Sequence, residues 1–535
     1  MAQFMNILSK FYTLISLLLH LSVLMITITN CKLNLNNPSD PRSRSYFETA
    51  LWNEYLKTLC DPNTRGSVRL GSGSYKVFPY SLELLKNGNL AVTAGVFEDV
   101  TWKGRTGGIQ YSFSGTLGTT MNVIVFILNG RTFEIEWLDY LGPTTSTSEE
   151  VNFAPVREMS NGDIVVYTNV NGTQGTPISG KANTDAFLVA RYNQKGNRIW
   201  HTYLDLPVNS FLLNKFALVV DKNDQIHLFF IHNTNSSNTP DTTGFIEFPS
   251  TKVASDGTNI GQREIGWAIL KSDGTPTTQT YLPSINSVEI STAELGPNNN
   301  ILIGGSAQDN FSGFPGHPLP SYSRIVLANL SINNHSIQNV TYLGNSSTSF
   351  NLGDINTLTG GSDGIFASGN SAGGFGNPIH SYQFYPSGNY RNHILLKFDW
   401  NGNLIWNQFI GSTNTNVLEF FPKITYIPFI DEFRGNILSP TDGTRFTGLD
   451  ELSYGNGKNE LQDVTFRLRG SDGRIKSVYY ETNVSVSPPP NVLFDFNIQY
   501  RNVCYGRIVT LSRYLNYPAE EGFLEVKTRP GFEEP

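Results

Sequence analysis

From residue 66 onward one pattern returns about every 70 residues, and a period of that length commits a chain to a stacked or ring-closed array of supersecondary units. One unit is a pair of β-rich runs around a Gly turn that ends in an aromatic-Leu-Gly-like step. Its copies are FILNGRTFEIEWLDYLG (126–142), ARYNQKGNRIWHTYLD (190–205), ILKSDGTPTTQTYLP (269–283), VLANLSINNHSIQNVTYLG (326–344), KFDWNGNLIWNQFIG (397–411) and RLRGSDGRIKSVYYE (467–481). The turn glycines Gly130, Gly196, Gly274, Gly402 and Gly473 mark the period, and Trp137, Trp200 and Trp406 fall at equivalent places. A second hairpin alternates with the first, from SLELLKNGNLAVTAG (81–95) to NIQYRNVCYGRIVTL (497–511). Each has a polar turn between apolar runs, because a tight hairpin needs residues that accept positive φ.

Two alternating hairpins per period make a four-stranded unit, and the count predicts an all-β chain with a single β-propeller over residues 66–535. Seven blades fit best; six and eight are the alternatives, because the last unit is one strand short. The short alternating segment Ser67-Val68-Arg69-Leu70 has no partner of its own and is predicted to complete blade seven and close the ring. The units resemble the bacterial β-propeller repeats called SBBP. The resemblance is carried best by Asp185–Asp205 and His393–Gly411, with Gly-x-Pro connectors at Gly175-Thr176-Pro177, Gly313-Phe314-Pro315 and Gly376-Asn377-Pro378.

Residues 1–30 read as an address, not as fold. Lys10 is the only charge before Thr29, and Phe11–Ile28 is mostly apolar. Ile28-Thr29-Asn30-Cys31 then resembles a bacterial lipobox of the looser spirochaetal form, which implies cleavage before Cys31 and acylation of its thiol. An ordinary secretory signal and an uncleaved anchor helix are the other readings. Acylation would make the membrane a partner through Cys31, in a bacterial envelope and most simply the outer membrane. Residues 31–65 read as a tether followed by a short helix over 45–59, and the Asn-Pro-Ser-Asp-Pro and Leu-Cys-Asp-Pro runs around 36–60 resemble the start of leptospiral lipoproteins. The remaining cysteines, Cys60 and Cys504, either form one disulfide or stay as two buried thiols.

Chemistry-bearing motifs are sparse. A net charge of −7 argues against nucleic acid, which needs a basic field. Gly360-Gly361-Ser362-Asp363-Gly364 has the spacing of a nucleophile elbow but lies in a hairpin turn, so it is expected to be a turn. Asp221-Lys222-Asn223-Asp224 is read as turn chemistry, too short for a calcium loop. No metal site and no cofactor are expected. The informative feature is loop length: turns within hairpins are short, whereas connectors between hairpins are long and, by strand alternation, share one face. They carry Trp102, Phe311, Phe314, Tyr382, Phe384 and Tyr385. The expectation is a module that binds a protein or glycan through that face; the alternative is a lyase or hydrolase with its site at the axial channel.

Overall fold

The computed structural model describes strands and most turns between Ser67 and Arg529. Residues 1–66 and 530–535, and parts of several connectors, lie outside the described residues; the longest such part is 234–262. The Cys31 site, Cys60 and the helix expected over 45–59 therefore lie outside as well. Residues 62–535 form one compact unit, and no helix occurs among the described residues.

The first strand, β1 (Ser67–Leu70), belongs to the last sheet. Blade one is β2 (Val77–Leu84), β3 (Leu90–Val96), β4 (Met121–Leu128) and β5 (Ile135–Thr144). Blade two is β6 (Val156–Glu158), β7 (Ile164–Val170), β8 (Ala186–Tyr192) and β9 (Arg198–Asp205). Blade three is β10 (Phe216–Val220), β11 (Ile226–Asn233), β12 (Arg263–Leu270) and β13 (Pro276–Leu282). Blade four is β14 (Val288–Leu295), β15 (Asn300–Ala307), β16 (Arg324–Ser331) and β17 (Ser336–Leu343). Blade five is β18 (Asp354–Gly360), β19 (Ile365–Ser371), β20 (Asn392–Phe398) and β21 (Leu404–Ile410). Blade six adds a fifth strand: β22 (Lys423–Ile427), β23 (Glu432–Leu438), the two-residue β24 (Ser453–Tyr454), β25 (Gln462–Arg469) and β26 (Ile475–Thr482). Blade seven is β27 (Ile498–Cys504), β28 (Arg507–Asn516), β29 (Glu521–Arg529) and, on its outer edge, β1.

All strand pairs are antiparallel except β24 with β26, which is parallel, and the chain is a seven-bladed β-propeller. The closing strand predicted from the strand count is in place: Val68 pairs with Val526 and Leu70 with Leu524. Apart from a small cluster of Phe78, Phe97 and Met121 within blade one, the hydrophobic clusters lie between neighbouring blades. Val123, Val125 and Ile127 of β4 face Val166, Leu188 and Tyr203 of blade two, while Ile124, Phe126 and Leu128 of the same strand share a cluster with Leu70, Leu524 and Val526 of blade seven. Every residue of β4 is thus buried, and from Val123 to Leu128 its sequence is a continuous apolar run, where a strand with one wet face would alternate.

The repeated tryptophans join one blade to the next. The indole Nε1 of Trp137 donates to Gln194 O at 3.2 Å, that of Trp200 to Ser272 O at 3.0 Å and that of Trp406 to Gly470 O at 3.2 Å. In each case the acceptor is the outer-hairpin turn of the following blade. Blade four has no Trp at this place; there Thr341 Oγ1 donates to Gly402 O and Asn339 Nδ2 to Asn401 O.

Candidate functional site

The meander sorts its connections onto two faces. Turns within hairpins, such as Leu85–Asn89, lie on one; connectors between second and third strands, such as 97–120, 171–185 and 372–391, lie on the other. On the described part of the long-connector face the outer strands hold the connectors down. Tyr140 OH donates to Asp99 Oδ1 at 2.8 Å and accepts from Val100 N at 2.7 Å. In blade two Tyr203 OH accepts from Gln174 N at 2.9 Å, and in blade four Tyr342 OH accepts from Phe311 N at 2.6 Å and donates to Phe314 O at 3.2 Å. Two connectors continue along the outer edge. Ile178 N donates to His201 O and Tyr203 N to Ser179 O; likewise Ile379 N donates to Asn407 O and Phe409 N to His380 O. In blade six the connector lays β24 on β26. The Gly-x-Pro steps at 175–177 and 376–378 lead into these edge contacts, which cover a strand edge that would otherwise template association.

A buried ion pair locks the connectors of blades one and two. Arg198 Nη2 lies 2.8 Å from Asp139 Oδ2, with side chains 2% and 0% exposed. Tyr192 OH donates to the same carboxylate oxygen at 2.8 Å and accepts from Arg198 Nε at 2.7 Å. Burial pushes the Tyr192 phenol well above its ordinary range, which keeps it a donor. Asp139 Oδ1 accepts from the backbone of Gln110 and Tyr111, and the Arg198 guanidinium lies 4.1 Å from the Tyr111 ring centre. His201 sits beside this group with Nε2 2.7 Å from Gln174 O, and burial lowers its pKa. Each charged group has several partners, the condition under which a buried pair is tolerated.

The innermost strands enclose an axial channel. Its cavity has a volume of about 340 Å³ and is walled by the innermost strands β2, β6, β10, β14, β18 and β22. Three of these strands carry a β-bulge at the same height, between Pro79 and Ser81, Ile290 and Thr292, and Ile355 and Thr357. The bulge turns two successive residues out of the core, and the burial patterns of β2 and β14 differ only at the second residue. In blades four and five a glycine stands opposite the start of the bulge, where blade one has Ala94: a Cβ on Gly305 would lie 2.0 Å from Glu289 O, and one on Gly369 1.8 Å from Asp354 O. Below the bulges Glu83 and Arg157 pair at 3.4 Å, both partly exposed. Glu158, on the same strand as Arg157, accepts from Lys86 N at 2.8 Å; burial raises its pKa, and the Lys86 amide and charge oppose the rise.

Of the aromatics expected on the binding face, Phe311 is corrected by the structure. It is 1% exposed and packed with Ala307, Ile290 and Val288 in the cluster between blades three and four. The tie of its backbone to Tyr342 draws the connector down and puts the ring into the core. Phe314 is half-buried against the same cluster. Trp102, Tyr382, Phe384 and Tyr385 lie outside the described residues. The large apolar side chains that are exposed on described connectors are Leu117 at 53%, Ile178 at 48% and Ile379 at 39%. Sequence reading passed over them because single aliphatic residues in loops carry no signal.

Other sequence features resolve as turns. Gly361 N donates to Gly364 O, and Ser362 OH lies 3.3 Å from Tyr426 OH, so the Gly-x-Ser-x-Gly stretch is the β18–β19 turn. Asp221 Oδ1 accepts from Asn223 N and Gln225 N and caps its own turn. Among the described residues no group of three His, Cys, Asp or Glu could hold a metal ion. Cys504 ends β27, the innermost strand of blade seven, at its turn side.

No family model matches the sequence, and no curated protein matches it. Solved structures with a similar backbone include the Dos1 propeller, at 12% identity and a TM-score of 0.34, covering 85% of this chain and 87% of that one. The WD40 domain of SCAP from fission yeast matches at 7% identity and 0.33, over 86% of this chain and 96% of that one. The NanB sialidase from Streptococcus pneumoniae matches at 9% and 0.38, over 86% and 70%.

Proposed function

We propose that this chain is an exported, lipid-anchored binding module that presents its long-connector face to a protein or a glycan. The observation that carries the reading is the fixing of that face. Connectors of blades one, two and four are tied by Tyr140, Tyr203 and Tyr342 to outer strands of a closed ring, so a ligand would meet loops already held in place. Pre-organised loops lose less entropy on binding than free ones. Leu117 supplies apolar contact, and Trp102, Tyr382, Phe384 and Tyr385 are further anchors.

Ser67 pairs with Lys527 near the turn-side end of β29, so the described residues begin on the face opposite the long connectors. The test has two parts. Mass spectrometry of the membrane fraction should find a mature N-terminus at an acylated Cys31; an intact Met1 removes the anchor. Pull-down with the full chain should recover a ligand that Trp102→Ala and Tyr385→Ala release without unfolding the ring. A ligand retained by both variants sinks the connector-face reading.

A further inference from the structure

We propose that the axial channel is a second binding site, distinct from the connector face, for an uncharged polyhydroxylated ligand of about disaccharide size. An antiparallel pair loses ladder regularity at each bulge, and here the irregularity recurs in β2, β14 and β18, on residues that all face one cavity. Bulges cluster where a side chain has to be re-aimed. The residues so placed are Ser81, Ser291, Thr292, Asn356 and Thr357, every one a neutral hydrogen-bonding group.

The wall is held in place. Ser291 Oγ donates to the Asp354 carboxylate at 3.2 Å, and Thr292 Oγ1 accepts from Leu358 N at 3.3 Å, so the bulge of blade four is tied to blade five. Asn356 Nδ2 and Thr357 Oγ1 are buried in the wall without a hydrogen-bond partner. Such atoms cost free energy when left unpaired and are conspicuous in a native structure. Both atoms are closed off from the cavity as they stand, so a ligand hydroxyl, which donates and accepts, satisfies them only where the Asn356 and Thr357 side chains turn towards it.

The charged groups fit the same ligand. Glu83 and Glu294 accept hydroxyl protons, and Arg157, already paired with Glu83, donates without adding net positive charge. Among the described lining residues Glu83, Glu158 and Glu294 outnumber Arg157, which disfavours anions. Tyr80, half-buried at the connector end, supplies apolar surface for the C–H face of a sugar ring. A cavity of about 340 Å³ lies in the range of small-ligand sites.

The experiment is saturation-transfer NMR on the full chain in a detergent without a sugar headgroup, with cellobiose and N,N′-diacetylchitobiose as probes and sodium acetate as the anionic control. Saccharide signals are expected at millimolar concentration and none from acetate. Thr357→Val should weaken binding about tenfold while leaving the melting temperature equal or higher, because it removes an unpaired oxygen and keeps the shape. Glu294→Gln should weaken it severalfold, and Glu134→Gln on an outer turn should leave it unchanged. The proposal is overturned if neither disaccharide binds, if acetate binds as well as they do, or if Thr357→Val and Glu294→Gln bind like the parent. None of these outcomes bears on Trp102 or Tyr385, so the two sites fail or stand separately.

Discussion

The indole of Trp137 occupies the space in which any side chain on Gly196 would have to sit. A Cβ at Gly196 would lie 2.5 Å from Trp137 Cγ, and the glycine has φ of 85°. Gly274 stands against Trp200 and Gly473 against Trp406 in the same way. The Trp and Gly that recur in the sequence are therefore two halves of one contact between consecutive blades. Gly196→Ala should cost about 2–4 kcal/mol, from left-handed strain plus displacement of the indole. Gly88→Ala is the control: its φ is 88°, but nothing lies within 4 Å of the added Cβ, so only the strain of about 1 kcal/mol is expected. Urea denaturation of both variants separates the two contributions; equal losses would show that the tryptophan contact adds nothing.

Ring closure rests on a four-residue strand. Leu70 and Leu524 are 4% and 0% exposed and share a cluster with Leu90, Val92 and Phe126 of blade one. Leu70→Ala should destabilise by about 2–4 kcal/mol. Deleting residues 67–71 should additionally bare the edge of β29 and produce concentration-dependent association in light scattering. A melting temperature unchanged in the deletion would mean that β1 does not hold the ring.

Burial lowers the pKa of His393 to about 4, against an ordinary value near 6.5. Between those values the unfolded chain takes up a proton that the folded ring refuses. Stability should therefore fall as pH drops from about 6.5 towards 4, by at most about 3 kcal/mol, and should not vary through this group above 6.5. His201, also lowered by burial, acts in the same direction. Chemical denaturation at pH 7, 5.5 and 4.5 measures the slope, and His393→Gln should flatten it.

Tyr140→Phe removes the hydroxyl that bridges Asp99 and Val100. Global stability should drop by about 1 kcal/mol. The amide of Val100 should exchange with deuterium at least tenfold faster, while amides of β4 keep their protection. Unchanged exchange at Val100 would show that the connector is held by other contacts.

Asp139→Asn leaves the guanidinium of Arg198 buried with a neutral partner. A loss of about 3–5 kcal/mol is expected, and the double change Asp139→Leu with Arg198→Met should recover much of it, since no charge is then buried. Thermal melts of the single and double variants decide the point.

Counting hairpins was enough to place Ser67–Leu70 in blade seven, because a ring of meanders leaves an odd strand nowhere else to go. The Gly turns were equally readable, since positive φ at Gly196, Gly274, Gly402 and Gly473 leaves its mark in residue type. The bulges were not. Tyr80, Ser291 and Asn356 have no residue type in common, and a bulge is a property of register between two strands. Phe311 was misread because an aromatic in a loop looks the same whether it points out or is drawn into the core by its backbone. The repeated tyrosines were visible as a pattern, but their partners Val100, Gln174 and Phe311 lie on connectors of unlike sequence. The two residues of β24 are too few to leave a periodic trace.

Because β1 and β29 come from opposite ends of the ring's sequence, their pairing also sets an order of events. Each of the first six blades is built from local hairpins that can form as soon as their own residues are available. The seventh cannot be completed until Glu521–Arg529 arrives to meet a strand that left the ribosome first. Up to that moment the nascent ring is an open crescent with unpaired edges, exposed to wrong partners. The closing step is therefore where a truncated or stalled chain differs most from a finished one, and a nonsense mutation that removes only the last strand should leave most blades able to form yet no closed product.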